Sequence, residues 1–227
     1  MEKNRKWVIV GDSAFAEVAY EYFTWDSDYE VVGFSVEKDF LKKNSLFGLP
    51  VVPFESVQEA FRPPEHHLFV AVVYTQLNRL RARLCAQSRT KGFSLASYVS
   101  SKAFVWRNVQ VGEHCFIFEG NVVQPFVRLG DNVVLWSGNH IGHHSVIRDN
   151  CFISSHVVVS GFVEIGENCF LGVNSTIINN VKIATDCWIG PGVTITRDTS
   201  QGEFYRPAQV EPAKVSTLRF FKIKDLT

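Results

Sequence analysis

The chain has 227 residues, 46% apolar and 20% charged, with Lys plus Arg balanced against Asp plus Glu at 23 each. That size and composition suit one large or two small globular domains. The even charge, with no basic run beyond Lys3-Asn4-Arg5-Lys6, excludes a nucleic-acid footprint, and the apolar run from Trp7 ends at Gly11, too short for a signal peptide or membrane span.

Residues 7–10 read as a buried strand that ends at Gly11; a helix follows through Ala14, Val18 and Tyr22, then a second strand at residues 29–34. This is a βαβ unit. A further strand is expected at residues 67–74, leading to a helix on Leu77, Leu80 and Leu84, whose Arg79, Arg81 and Arg83 read as a solvated face. A last strand at residues 93–98 completes an α/β domain over residues 1–98. The turn Gly11-Asp12-Ser13-Ala14-Phe15-Ala16 lies where a phosphate-cradling loop would meet a helix N-terminus. It carries one glycine where a full fingerprint has three, and Glu37 stands as the acidic residue that could meet a ribose.

From Val105 the rhythm changes. An aliphatic residue recurs at every sixth position through Val111, Ile117, Val123, Leu129, Leu135, Ile141, Ile147, Ile153, Val159, Ile165, Leu171, Ile177, Ile183, Ile189 and Ile195. A hexapeptide period of this kind predicts a parallel β-helix over residues 99–199, three hexads to the coil, with residues 200–227 as a tail that caps it. Cys151, Cys169 and Cys187 are spaced by eighteen and Cys115 by twice that, which predicts an inward ladder of buried thiols rather than a metal cluster. Asn121 and Asn139, also eighteen apart, are expected to satisfy each other along the stack. Five cysteines without close pairs fit a reducing compartment, so the cytoplasm is the expected location.

The first turn, the block Val73-Tyr74-Thr75-Gln76-Leu77-Asn78-Arg79-Leu80-Arg81, the stretch Trp136-Ser137-Gly138-Asn139-His140-Ile141-Gly142-His143-His144 and the hexad array together resemble the sugar O-acyltransferases of the sialic-acid O-acetyltransferase type. Relatives of that group include the bacillosamine and perosamine N-acetyltransferases. The resemblance spans about residues 7–215. It implies a left-handed β-helix, a homotrimer and acetyl-CoA as acyl donor between neighbouring helices. The implied acceptor is a sugar, often nucleotide-linked, as in surface polysaccharide synthesis. By match to the group's motif, His143 takes the place of the catalytic base, and Phe152, Gly161, Val173 and Pro191 take those of CoA contacts. Ser13, Ala14, Phe15, Val36, Glu37 and Gly48 take the places of sugar-nucleotide contacts. The chain departs from the group where it has Ala14-Phe15 for Gly-His, lacks an acidic residue at Val36, and carries His144 where an acidic residue often follows the base.

Of the seven histidines, His66 and His67 precede a strand and His114 falls at a turn, which predicts surface positions. His140, His143, His144 and His156 fall within one coil. His143 occupies a corner where a side chain can meet a ligand, Gly161 one coil later would open backbone for a thioester, and His156 is a candidate for the acceptor sugar. A neutral imidazole can take a proton from an attacking amine or hydroxyl while a backbone N–H stabilises the oxyanion. The competing readings are a β-helical, zinc-dependent carbonic anhydrase, which needs three converging imidazoles, and a non-catalytic scaffold. The acyltransferase reading needs no metal.

Overall fold

A computed structural model describes residues 5–223. Its N-terminal part is built from β1 (Arg5–Val10), α1 (Ala14–Trp25), β2 (Tyr29–Val36), β3 (Ser45–Leu46), β4 (Leu49–Pro53), α2 (Val57–Ala60), β5 (His66–Val70) and α3 (Arg79–Thr90). The sheet order is β3-β4-β2-β1-β5, parallel apart from the β3–β4 hairpin. The expected strand at residues 67–74 stops at Val70, and three successive residues with positive φ, Gln76, Leu77 and Asn78, then turn the chain into α3. Nor is 93–98 a strand of this sheet. Only Leu95 bridges Leu68, and Tyr98 joins the next domain's first coil.

From Tyr98–Val99 to Phe204–Tyr205 the chain winds as a left-handed parallel β-helix of three sheets. Each hexad contributes a two-residue strand whose second residue points inward and whose first points outward. Strands eighteen apart stack in register, as Ile141 on Val159 and Val159 on Ile177. From Ile117 to Ile195 every hexad aliphatic is buried in one core. Val105 is half-buried and Val111 is 36% exposed, because their strands begin their sheets and no coil lies beneath them.

The four ladder cysteines are fully buried, and Cys115, Cys151 and Cys169 each lie 3.1–3.2 Å from the carbonyl fifteen residues ahead. The asparagines differ from expectation. Asn121 Nδ2 donates to Phe118 O and Trp136 O, Asn139 Nδ2 also donates to Trp136 O, and Asn139 Oδ1 accepts from Val157 N–H, so both amides serve the corner backbone rather than each other.

The outward residues give the three faces different characters. One carries Tyr98, Phe116, Val134, Phe152, Phe170, Trp188 and Phe204, and its lower part is the docked face, covered by the α/β domain through Phe15, Ala19 and Phe23. The second, with Phe104, Val122, His140 and Val158, is apolar and open. The third, with Gln110, Arg128, Val146, Glu164 and Lys182, is the charged face.

Docking overturns two expectations. Arg81 is not on a solvated surface: it is fully buried, donates to Asn132 O at 2.7 Å and lies over the Phe152 ring, and burial pulls its guanidinium down to about 10. His114 is likewise buried, not exposed, because α3 packs over its corner. Its Nε2 accepts from Val70 N–H and its Nδ1 lies 2.8 Å from Asn132 Oδ1. Asn132 Oδ1 can only accept, so the neutral ring carries its proton on Nδ1. Among the described residues no helix is long and apolar enough to cross a membrane.

Burial, reinforced by the charge of Arg81, lowers the His114 pKa to about 3. An unfolded imidazole titrates near 6.5, so unfolding takes up a proton between those values and stability falls as pH drops through that window, while remaining flat above it. The thermal midpoint is therefore expected to decline from about pH 6.5 downward, and His114→Gln to flatten that decline. Calorimetry across pH measures both.

Candidate active site

In a three-sided prism each corner lies opposite one face. The corner residues 142–145, between the apolar and charged faces, therefore lie opposite the docked face. From His114 to Gly192 each hexad turns its corner with a residue of φ between 56° and 76°, a conformation suited to Gly, Asn and Asp. At this corner His144 holds that position at φ 59°, and His143 precedes it.

His143 is exposed and anchored through its backbone. Its N–H donates to Gln124 Oε1 at 2.9 Å and its carbonyl accepts from Phe162 N–H at 3.0 Å. Its imidazole lies directly over Gly161. A Cβ at residue 161 would sit 2.8 Å from His143 Cε1 and 3.0 Å from Nε2. Gly161 was expected to open backbone for a donor; it first of all seats the imidazole. Its N–H donates no hydrogen bond among the described residues.

His143 Nδ1 and His144 Nδ1 lie 3.1 Å apart. The His144 ring is stacked between Phe126, at 4.6 Å and 25°, and Phe162, at 4.8 Å and 15°, while His143 meets Phe162 edge-on at 5.1 Å. Phe126, His144 and Phe162 are eighteen residues apart and form one column. Both phenylalanines have positive φ, 65° and 59°. A bulky side chain there costs about 1–2 kcal/mol, a strain found where surrounding contacts demand it.

The other expected positions fall elsewhere. Val173 and Pro191 stack at the corner between the docked and apolar faces, both exposed. His156 shares that corner, with its ring over Gly138, and so stands across the apolar face from His143. His140 points out from the apolar face. Within one chain the four histidines therefore do not converge. Phe152 is 4% exposed on the docked face, packed by Tyr74, Trp136 and Phe170, so its side chain is committed to the core.

In the α/β domain, a cavity of about 240 Å³ opens at the C-terminal ends of the central strands, lined by Gly11, Ser13, Val36, Glu37, Phe40, Val73 and Leu80 among others. Ser13 is the N-cap of α1 but makes no side-chain cap bond, and Ala14 beside it is exposed. Phe15 turns inward, 3% exposed, against Phe69, Phe116 and Trp136. Glu37 is held by Arg83 through two bonds of 2.9 and 3.0 Å at the rim. Gly48, at φ 75°, forms the β3–β4 turn with Phe47, outside the cavity lining.

The bacterial transferase hexapeptide (six repeats) family matches residues 127–161, 144–179 and 162–197. Residues 127–197 form a bacterial transferase hexapeptide array. No curated protein sequence matches the chain. Among solved structures, a variant of perosamine N-acetyltransferase from Caulobacter crescentus, in complex with CoA and GDP-perosamine, is 25% identical with a TM-score of 0.81, over 92% of this chain and 97% of that one. The acetyltransferase domain of PglB from Neisseria gonorrhoeae FA1090 is 22% identical with a TM-score of 0.80, over 92% and 100%. The same domain in complex with acetyl coenzyme A gives 18% and 0.61 over the same shares. At these lower identities the likeness is one of fold.

The hexapeptide array thus presents an exposed imidazole seated on a buried glycine at one corner. Gln124 and the two clamping phenylalanines complete the group. Neither Gln124 nor Phe126 was singled out in the sequence, although the eighteen-residue spacing of 126, 144 and 162 carries the signal. Gly161→Ala tests the seat of the ring. The corner φ of Gly161 is not positive, so the thermal midpoint is expected to stay within about 3 °C of the parent. The NMR resonances of the His143 and Phe162 rings should move as the new Cβ displaces the imidazole.

Proposed function

We propose that the protein transfers an acetyl group from acetyl-CoA to an amine or hydroxyl of a sugar, nucleotide-linked, for surface polysaccharide synthesis, with His143 as general base. The observation that carries this reading is the exposed His143 imidazole seated on Gly161 at a hexapeptide corner, in a fold shared with a perosamine N-acetyltransferase solved with CoA and GDP-perosamine. His143 Nε2 takes the proton of the acceptor as its nitrogen or oxygen attacks the thioester carbonyl carbon. In this reading the Gly161 N–H, which donates to no other group among the described residues, receives the oxyanion that forms. The C–S bond then breaks, and the proton passes from His143 to the departing CoA thiolate.

Prism geometry supports an intermolecular site. Gly161 lies at one edge of the apolar face and Val173 with Pro191 at the other, so a donor touching all three lies across that face. The acceptor cavity, with Ser13, Val36 and Glu37, belongs to a domain docked on the side of the solenoid opposite His143. A homotrimer in which apolar faces meet brings one chain's His143 toward its neighbour. Phe104, Val122, Val158, Phe126 and Phe162, each at least 36% exposed, supply that contact. Residues 1–98 then hold the acceptor and 99–199 the donor. His156, at the far corner, is assigned to the acceptor side. All five cysteines are free thiols, which suits the cytoplasm.

The test follows free thiol release from acetyl-CoA across a panel of amino sugars and nucleotide-linked sugars. A nucleotide-linked acceptor is expected to score, and His143→Ala to lower kcat by about 10²–10⁴ with acetyl-CoA affinity nearly unchanged. Full rate in that variant overturns the base assignment. Light scattering should report a trimer; a monomer at micromolar concentration overturns the shared site.

A further inference from the structure

The neighbour of the base is itself held by a device that the fold does not otherwise need. Along the array the positive-φ corner positions are filled mainly by Asn, Asp and Gly, as at Asn132, Gly138, Asn150, Asn168 and Asp186. Phenylalanine occupies this position only directly below and directly above His144, and both rings lie nearly parallel to the imidazole. The left-handed backbone at His144 brings its Nδ1 to 3.1 Å from His143 Nδ1, although adjacent side chains ordinarily diverge. Among the described residues no carboxylate hydrogen-bonds either ring.

We propose that His144, clamped between Phe126 and Phe162, is a positioning residue whose Nδ1 accepts the Nδ1–H of His143 and thereby leaves His143 Nε2 as the proton acceptor. This rests on the acyl-transfer reading. A neutral imidazole carries one proton on one of two nitrogens, and only the tautomer protonated on Nδ1 presents a lone pair at Nε2. The acceptor at His144 selects that tautomer. After Nε2 takes the proton, the Nδ1–H of the imidazolium still donates to the neutral neighbour, so the bond persists through the step. Stacking restrains the His144 ring in the plane that this bond requires, and edge contact with Phe162 limits tilting of His143. A neutral ring does the work that a carboxylate beside the base would do with charge.

Two substitutions separate positioning from packing. His144→Phe keeps an aromatic ring in the column and removes the acceptor. His144→Asn keeps an acceptor near the position of Nδ1, tolerates positive φ, and removes the stack. The expected result is that His144→Phe lowers kcat about ten- to a hundredfold with KM for acetyl-CoA nearly unchanged, while His144→Asn retains most of the parent kcat. A column that serves packing alone gives the reverse order and overturns the proposal. Nitrogen-15 NMR of the parent protein supplies a readout independent of turnover, and of whether either variant folds: His143 should be protonated on Nδ1, and a ring protonated on Nε2 overturns the proposal. If His143→Ala keeps its rate, the base reading fails by itself, and the NMR still decides the hydrogen bond.

Discussion

Phe15 of α1 reaches Phe116, Phe118 and Trp136 of the solenoid, Phe23 meets Phe116 and Tyr98, and the two domains share one aromatic core. Large aromatic side chains bury about 150–250 Å² each, so such a seam is worth far more than any surface ion pair. It is pinned at its polar rim by Asp26, which accepts from Tyr98 Oη, Ser100 Oγ and Ser101 N–H. Burial alone would raise that carboxyl, but these donors outweigh it and hold it below its ordinary value. Trp136 is committed to the same seam, packed against Phe15 and Phe118.

Everything about the site depends on which face the seam occupies. With the α/β domain fixed on one face, the opposite corner is free, and it is there that His143 stands. The same docking buries Arg81 and His114 where α3 meets the array. The cost of a buried cation is offset by one strong bond to Asn132 O and by the Phe152 ring, although Arg81 Nε and one terminal nitrogen remain without partners.

Much of this could be read in the sequence because inward side chains recur every six residues whatever covers the outside. The period located the core from Ile117 to Ile195, the thiol ladder and the corner that carries His143. It could not tell which corner a second domain would cover, so His114 read as exposed. Arg81 was legible in principle. On a helix, Arg79 and Arg83 lie within about 40° of one another while Arg81 points about 160–200° away, so the three cannot share one solvated face. The reach of Arg83 to Glu37 and of Arg79 to Asp186 fits that division. The hydrogen bond between His143 and His144 was not legible, because it depends on the backbone turn at residue 144 and on two rings one coil away on either side.

The central claim is that the base and the acceptor cavity of one working site come from different chains, and mixed oligomers test it directly. His143→Ala removes the base, and Ser13→Trp blocks the cavity at the start of α1. Each variant alone should lose turnover. Co-assembly of the two should restore a substantial share of it, since some interfaces then pair an intact imidazole with an intact cavity. Mixed oligomers as inactive as either parent would contradict the account and place both halves of the site in a single chain.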